Sequence, residues 1–227
     1  SKQIPKKNIV NLSGKILLEY SILSAIKSKY LDKVLLSTDN DEIASVGRKF
    51  NIGPENLRPK KYSTDSASTW SVVHYELTQI EKKKKEYFDY VMLLQPTTPF
   101  RSTSLIDKAC QTIEKYPQAE SIVSIVNVGA NHPYRMYEKD KFNRLKSFVK
   151  NVKDPMMARQ LLPPIFIRSG DIYLTKRSCI FEKKSLIGDH SIGLEVSTDK
   201  AINIDTEQDL IVAEHIMKNK KNECTFD

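Results

Sequence analysis

Apolar residues follow two rhythms along this chain. Some stand in short unbroken runs, such as Val34, Leu35 and Leu36, or residues 90–94. A run without alternation fits a strand covered on both faces of a parallel sheet. Others recur at helical spacing: Ile16, Leu17, Ile22, Leu23 and Ile26; Ile43, Ala44 and Val46; Val72, Val73, Leu77 and Ile80; Leu105, Ile106, Ala109 and Ile113. Polar residues at the joints read as caps. Asp39 or Asn40 can open the second of these helices, which stops near residues 51–53; Ser68 or Thr69 can open the third and Ser102 the fourth. Further strands are predicted at 122–126, 172–174, 192–196 and 202–204. Strands alternating with helices make this an α/β fold, a doubly wound, mostly parallel sheet.

The pattern is most informative at residues 90–101. The apolar run ends in Gln95, followed by Pro96, Thr97, Thr98 and Pro99. Neither proline can continue a central strand, so the chain must turn out of the sheet there. Strand, polar loop and helix in that order put residues 95–101 at the carboxyl edge of the sheet, where open α/β sheets bind ligands. Taken alone, the same loop could equally be a rigid connector.

The rhythm breaks at Asn131, His132 and Pro133. Residues 131–164 are polar and basic, yet Tyr134, Met136, Tyr137, Phe142, Leu145 and Phe148 are interleaved with Arg135, Lys139, Lys141, Arg144 and Lys146. That mixture reads as an inserted arm, an edge hairpin or a dimer contact, because exposed apolar groups at such density mark a contact surface.

Composition narrows the class. A chain of 227 residues with 40% hydrophobic and 28% charged residues suits one globular domain, 1–227, carrying the arm. No apolar run approaches the roughly 18 residues of a membrane span. The three cysteines and four histidines are scattered, which argues against a His/Cys metal site and for a reducing, cytoplasmic setting. The formal charge of +8 suits a polyanionic ligand. Nucleic acid is not the expected partner, since no basic stripe with interleaved aromatics of the binding type is seen.

Three places offer chemistry for such a ligand. Lys2, Lys6 and Lys7 form a compact basic turn pinned by Pro5, and ammonium groups are point charges suited to phosphate. Arg58 and the hydroxyl-rich residues 64–69 precede a helix whose N-terminal amides could meet an anion or a base. Asp205 follows the strand at 202–204; it could cap the final helix, as could Thr206, whose spacing to Asp209 resembles a capping box.

Several short motifs then fall in register: Ser-Lys-x-Ile-Pro-x-Lys-Asn, Leu-Ser-Thr-Asp, Arg-Pro, Thr-Asp-x-Ala-Ser, Leu-Leu-Gln-Pro-Thr-x-Pro-x-Arg, His-Pro, Arg-Gln-x-Leu-Pro and Ile-Asp-Thr. Together, over nearly the whole chain, they resemble the acylneuraminate cytidylyltransferase family, the CMP-sialic acid synthetases and their relatives. The resemblance implies a nucleotide-diphospho-sugar transferase-like, Rossmann-like fold and a reaction joining CMP from CTP to a nine-carbon keto sugar acid, with release of pyrophosphate. It also implies roles for individual residues. Lys2 and Lys7 match phosphate-binding lysines. Asn8 matches the residue at the cytosine end, and Arg58, Ala67, Ser68 and Thr69 match the nucleotide-side loop. Gln95, Arg159, Gln160 and Tyr173 match the sugar side. Asp205 matches the carboxylate that holds Mg2+, a cation that prefers oxygen ligands. The arm, in that family, forms a homodimer and lends residues to the partner's site.

This chain departs from the family pattern in three ways. The family carries a buried strand and a phosphate loop ahead of the position of Ser1, so a longer natural chain is expected. Asn203 stands where an Asp often precedes the main metal carboxylate, offering a neutral oxygen. Arg168, Ser169, Gly170 and Asp171 replace a common Arg-x-Asn-Gly, which leaves the sugar open among N-acetylneuraminate, legionaminate, pseudaminate and relatives. Two other readings compete: a cytidylyltransferase for another acid, such as 3-deoxy-manno-octulosonate, and a catalytically weak sugar-nucleotide binding protein.

Overall fold

The computed structural model describes residues 4–152, 154 and 156–223. Two short antiparallel strands, β1 (Asn11–Leu12) and β2 (Lys15–Ile16), turn through Ser13 and Gly14, both at positive φ. They lead into α1 (Leu17–Ile26), whose first turn is tied by Glu19 accepting from the Ile16 N–H. Asn40 caps α2 (Asp41–Lys49) by accepting from the Ile43 N–H. The helix ends through Asn51 at φ 58°, with the Ile52 N–H returning to the Gly47 carbonyl, a left-handed termination in which Asn stands in for glycine. Ser68 caps α3 (Thr69–Lys84), β3 follows at Tyr90–Leu93, and Ser102 caps α4 (Thr103–Lys115). The chain continues through β4 (Ser121–Asn127), β5 (Tyr137–Lys139), β6 (Leu145–Ser147), β7 (Phe166–Lys176), β8 (Ser191–Glu195) and α5 (Glu207–Glu223).

The principal sheet has the order β3-β7-β4-β8. β7 runs antiparallel to both β3 and β4, while β4 and β8 are parallel, so β3, β4 and β8 share one direction. Helices cover both faces. On one, Ile106, Ala109 and Ile113 of α4 pack against Ile122, Ile172, Leu174 and Leu194, with Met92 and Leu94 beside them. On the other, Val73 and Leu77 of α3 meet Ile180, Val91 and Leu93. The unbroken run at 90–94 therefore feeds both layers alternately, which is why it lacks polar positions. Each fully buried Ile contributes about 1.5–3 kcal/mol relative to exposure.

Two predicted strands form no ladder among the described residues. At 34–36 no strand forms; among the described residues the Leu36 N–H bonds to the Ile52 carbonyl, and Leu35 is 51% exposed. At 202–204 the Ile204 N–H bonds to the Thr97 carbonyl. Apolar composition favours an extended chain, but a ladder needs a second strand at the right spacing, and none of the described residues supplies it. The predicted strand at 172–174 extends instead over all of β7.

The arm takes the hairpin form. β5 and β6 pair antiparallel around a turn in which Asp140 accepts from the Phe142 and Arg144 N–H groups. Its base is closed where the Val128 N–H meets the Ile165 carbonyl. There His132, 2% exposed, accepts from the Tyr134 N–H at Nδ1 and so donates from Nε2 to the Pro163 carbonyl.

Candidate functional site

The loop after β3 is built around one carbonyl. Because β3 ends at Leu93, the Gln95 carbonyl lies outside the ladder. It accepts from Ser21 Oγ at 3.2 Å, Thr98 Oγ1 at 3.1 Å and Arg101 at 3.1 Å. The Ile204 N–H bonds to the next carbonyl but one, that of Thr97, at 2.8 Å. This bond, with Ile204 buried in a cluster against which Phe100 of the loop packs, brings residues 203–205 alongside the loop at the carboxyl end of β3.

Lys7 meets that segment. Its ammonium, with the side chain only 13% exposed, lies 2.7 Å from Asp205 Oδ1, while Asn203 Nδ2 donates to Asp205 Oδ2 at 2.6 Å. Asp205 itself is 57% exposed, so the carboxylate remains open to solvent. The cap of α5 is Thr206: its hydroxyl accepts from the Asp209 N–H, and the Asp209 carboxylate accepts from the Thr206 N–H and hydroxyl and from the Asp205 N–H. Burial alone pushes the Asp209 carboxyl up, but those bonds and the nearby Lys7 charge together hold it below its usual value. Lys2 lies outside the described residues.

Metal-binding capacity follows from this arrangement. Among the described residues no three His, Cys, Asp or Glu side chains gather as an all-protein cage. Mg2+ does not need one, since it is commonly held by one or two carboxylates together with phosphate oxygens. Asp205 fits that mode, and with its Nδ2 donating to Asp205, Asn203 keeps its amide oxygen as a neutral ligand.

A bulge shapes the neighbouring wall. Between Val123 and Ile125 the register of β4 against β7 jumps from Tyr173 to Arg168, so residues 169–172 bow out opposite Ser124. Ser124 Oγ accepts from the Ile172 N–H at 2.8 Å, replacing the lost ladder bond. Such bulges re-aim side chains beside active sites. At the crest, Gly170 has φ 86°, and a Cβ there would lie 2.7 Å from Gln95 Oε1, so glycine is required both for the backbone and for the approach of the Gln95 amide. Tyr173 pairs with Leu93 on one side and Val123 on the other, two residues from Gln95 along the β3 direction.

The nucleotide-side candidates form a second group. Arg58 donates to Ser63 Oγ and Ser37 Oγ and lies 3.5 Å from Asp39, while its own N–H bonds to the Thr38 carbonyl. Arg58 thus ties the Ser37–Asp39 stretch to the segment before α3. Ser68 and Thr69 are exposed at the α3 N-terminus, Ala67 precedes them half-buried, and Asn8 is half-buried beside Lys7 in the chain. Arg159 and Gln160 stand apart in the arm. Both are exposed, and a guanidinium nitrogen of Arg159 comes within 3.3 Å of where a Gly129 Cβ would sit. No hydrogen bond or ion pair among the described residues joins them to Gln95 or Asp205.

Sequence patterns did not single out Ser21 as a site residue; Arg101 entered only as the end of the Pro-Thr-Thr-Pro loop, and Gly170 and Asp171 only within the stretch that departs from the family pattern. Burial lowers the Arg101 guanidinium to about 10, against the opposing pull of Asp171. Burial likewise raises the Asp171 carboxyl, with the Ser169 hydroxyl and Arg101 acting in the other direction.

Comparison with known proteins adds to this geometry. Residues 1–219 match the profile of the family described as Cytidylyltransferase. The pseudaminic acid cytidylyltransferase of Campylobacter jejuni is 29% identical over 219 residues, covering 96% of this chain and 92% of the relative. The CMP-N,N'-diacetyllegionaminic acid synthase of Legionella pneumophila is 29% identical over 226 residues, with 96% and 92% covered. Among solved structures, a CMP:2-keto-3-deoxy-manno-octonic acid synthetase complexed with CTP shares the fold at a TM-score of 0.68 and 14% identity, covering 97% of this chain and 95% of that one.

Proposed function

This chain belongs to the cytidylyltransferase family, and from that premise we propose that it joins CMP from CTP to the anomeric hydroxyl of a nine-carbon keto sugar acid. The anomeric oxygen forms a bond to the α-phosphorus as the bond from that phosphorus to the bridging oxygen breaks, and pyrophosphate leaves. The observation that carries this reading is the contact of Lys7 with Asp205 beside the Gln95 loop, a phosphate-type cation and a metal-type carboxylate at the carboxyl edge of one strand. The relatives named for pseudaminic and diacetyllegionaminic acids support the sugar class.

In this reading the residues divide by task. Lys7, with Lys2, neutralises phosphate charge through the transition state. Asp205 and Asn203 would hold Mg2+, which supplies further charge neutralisation to the triphosphate. Asn8, Arg58, Ala67, Ser68 and Thr69 receive the cytidine side. Gln95 and Tyr173 orient the sugar acid, and Arg159 with Gln160 reaches it from the arm, a guanidinium being suited to pair with its carboxylate. The arm contributes these from a second copy in a homodimer, and the enzyme works in the cytoplasm with small substrates rather than nucleic acid or membrane. No helix among the described residues is long and apolar enough to cross a membrane.

Pyrophosphate release from CTP, measured with a panel of nonulosonic acids and 3-deoxy-manno-octulosonate, tests the proposal. Release is expected with a nine-carbon acid. Release with the eight-carbon acid alone, or with none, overturns it.

A further inference from the structure

Arg101 is 4% exposed, yet among the described residues its guanidinium makes no ion pair with a carboxylate. It spends its donors on neutral oxygens: the Gln95 carbonyl at 3.1 Å, Thr98 Oγ1 at 2.8 Å, the Asp171 carbonyl at 2.9 Å, and Ser21 Oγ. Ser21 and Thr98 in turn donate to the same Gln95 carbonyl. Arg101 Nε and Asp171 Oδ1 are left buried without a hydrogen bond among the described residues. An apolar side chain would fill this space without the cost of burying a charge. Unsatisfied buried groups in a native structure call for an explanation beyond packing, and they gather at functional sites.

The partners of Arg101 show what it controls. Gln95 carries no ladder bond on its carbonyl, so its backbone direction is set by this cluster. Its amide lies over Gly170, and Arg101 grips the carbonyl of the next residue, Asp171. One guanidinium therefore spans the loop that presents Gln95 and the bulge against which that side chain rests. We propose that Arg101, relayed by Ser21 and Thr98, is a positioning residue that aims the Gln95 amide across the Gly170 bulge and so sets affinity for the sugar acid without touching it. The inference rests on reading Gln95 as a sugar-side residue.

Steady-state kinetics on the full chain, with each substrate varied in turn, test it. Lysine cannot reproduce the planar fork, so Arg101→Lys is expected to raise KM for the sugar acid about tenfold with KM for CTP within about twofold. Ser21→Ala removes only one relay hydroxyl from a helix and keeps the test open should Arg101→Lys fail to fold; about a threefold rise in the same KM is expected. In a Gln95→Ala background, both substitutions should have no further effect on that KM, because neighbours acting through one group are not additive. The inference is overturned if Ser21→Ala and any folded Arg101 variant raise both KM values alike, or if their full effect persists without the Gln95 side chain. A Gln95→Ala variant with unchanged sugar kinetics overturns the reading of Gln95, and the inference with it, before Arg101 is altered.

Discussion

At the start of α5 the capping bonds belong to Thr206 and Asp209, which leaves the Asp205 carboxylate to Lys7 and Asn203. Asp205→Asn therefore removes charge at the site without uncapping a helix. Turnover of CTP is expected to fall at least a hundredfold, an order-of-magnitude figure for losing a charged group that stabilises a transition state, while the melting temperature stays within about 2 °C. Thr206→Ala should do the reverse, costing about 1 kcal/mol in urea unfolding with activity retained. A second residue-scale expectation concerns Glu81, whose side chain is 6% exposed and is gripped by both Nε and a terminal nitrogen of Arg177. The Arg177 hydrogen bond, helped by the Phe88 N–H and opposed by burial, holds its carboxyl below the usual 4.5. A depressed folded value means the stabilisation is complete above pH 4.5 and is lost as pH falls through the folded value. Glu81→Gln should cost about 1–2 kcal/mol near neutrality, toward the lower end because Arg177 is 34% exposed. It should also flatten the acid limb of stability against pH, and an unchanged limb would show that the pair contributes nothing there.

At the scale of elements, two helix beginnings divide the labour. The α4 N-terminus follows the Gln95 loop directly, and its cap Ser102 accepts from the Leu105 N–H. The α3 N-terminus is open, with Ser68 and Thr69 exposed and Arg58 braced nearby by Ser37, Ser63 and Asp39. Small side chains and free amides there suit a compact base and its ribose. Thermal stabilisation is expected to be larger with CTP than with ATP or GTP at equal concentration; equal shifts for all three would remove the nucleotide-side assignment of residues 67–69. The arm is an element of another kind. His132 and the Val128–Ile165 contact fix its base, while Tyr137, Phe142, Leu145 and Phe148 stay 46–66% exposed along the hairpin.

The whole molecule presents that apolar hairpin outward, and among the described residues no hydrogen bond or ion pair joins Arg159 or Gln160 to its own Lys7–Asp205 pair. Both features are met at once if two copies exchange arms, since a two-fold dimer is the commonest closed assembly. Light scattering at micromolar concentration should give twice the monomer mass. Mixing a Lys7→Ala variant with an Arg159→Ala variant should restore part of the activity, up to about a quarter of the wild-type level if chains pair at random and each site draws on both. A fully active monomer, or mixtures that stay inactive, would instead make the arm a lid folded over its own site.

How far the sequence reached depends on the distance over which each feature is decided. Helices α1–α4, the Ser102 cap and the Thr206–Asp209 box were legible, Asn40 and Ser68 each as one of two cap candidates and the hairpin as one of two forms for the arm, because each arises from residues a few positions apart. The Gln95 loop could be set at a strand's carboxyl end for the same reason: Pro96 and Pro99 forbid continuation. Strand pairing was not legible. Nothing local in β7 says that it inserts antiparallel between β3 and β4, and nothing in residues 34–36 says that Leu35 stays 51% exposed. Which residue caps α5 was likewise open between Asp205 and Thr206 until the Asp209 bonds fell to Thr206, and nothing local said that Lys7, 198 residues away, lies against the Asp205 carboxylate. Arg101 looked like the last residue of a loop motif, and only the approach of Ser21 from α1 and of Asp171 from the β7 bulge made it the centre of a buried network. Periodicity and capping are written in neighbours along the chain; register, burial of charge and the meeting of Lys7 with Asp205 are decided by which segments pack together, and that the tertiary structure alone supplies.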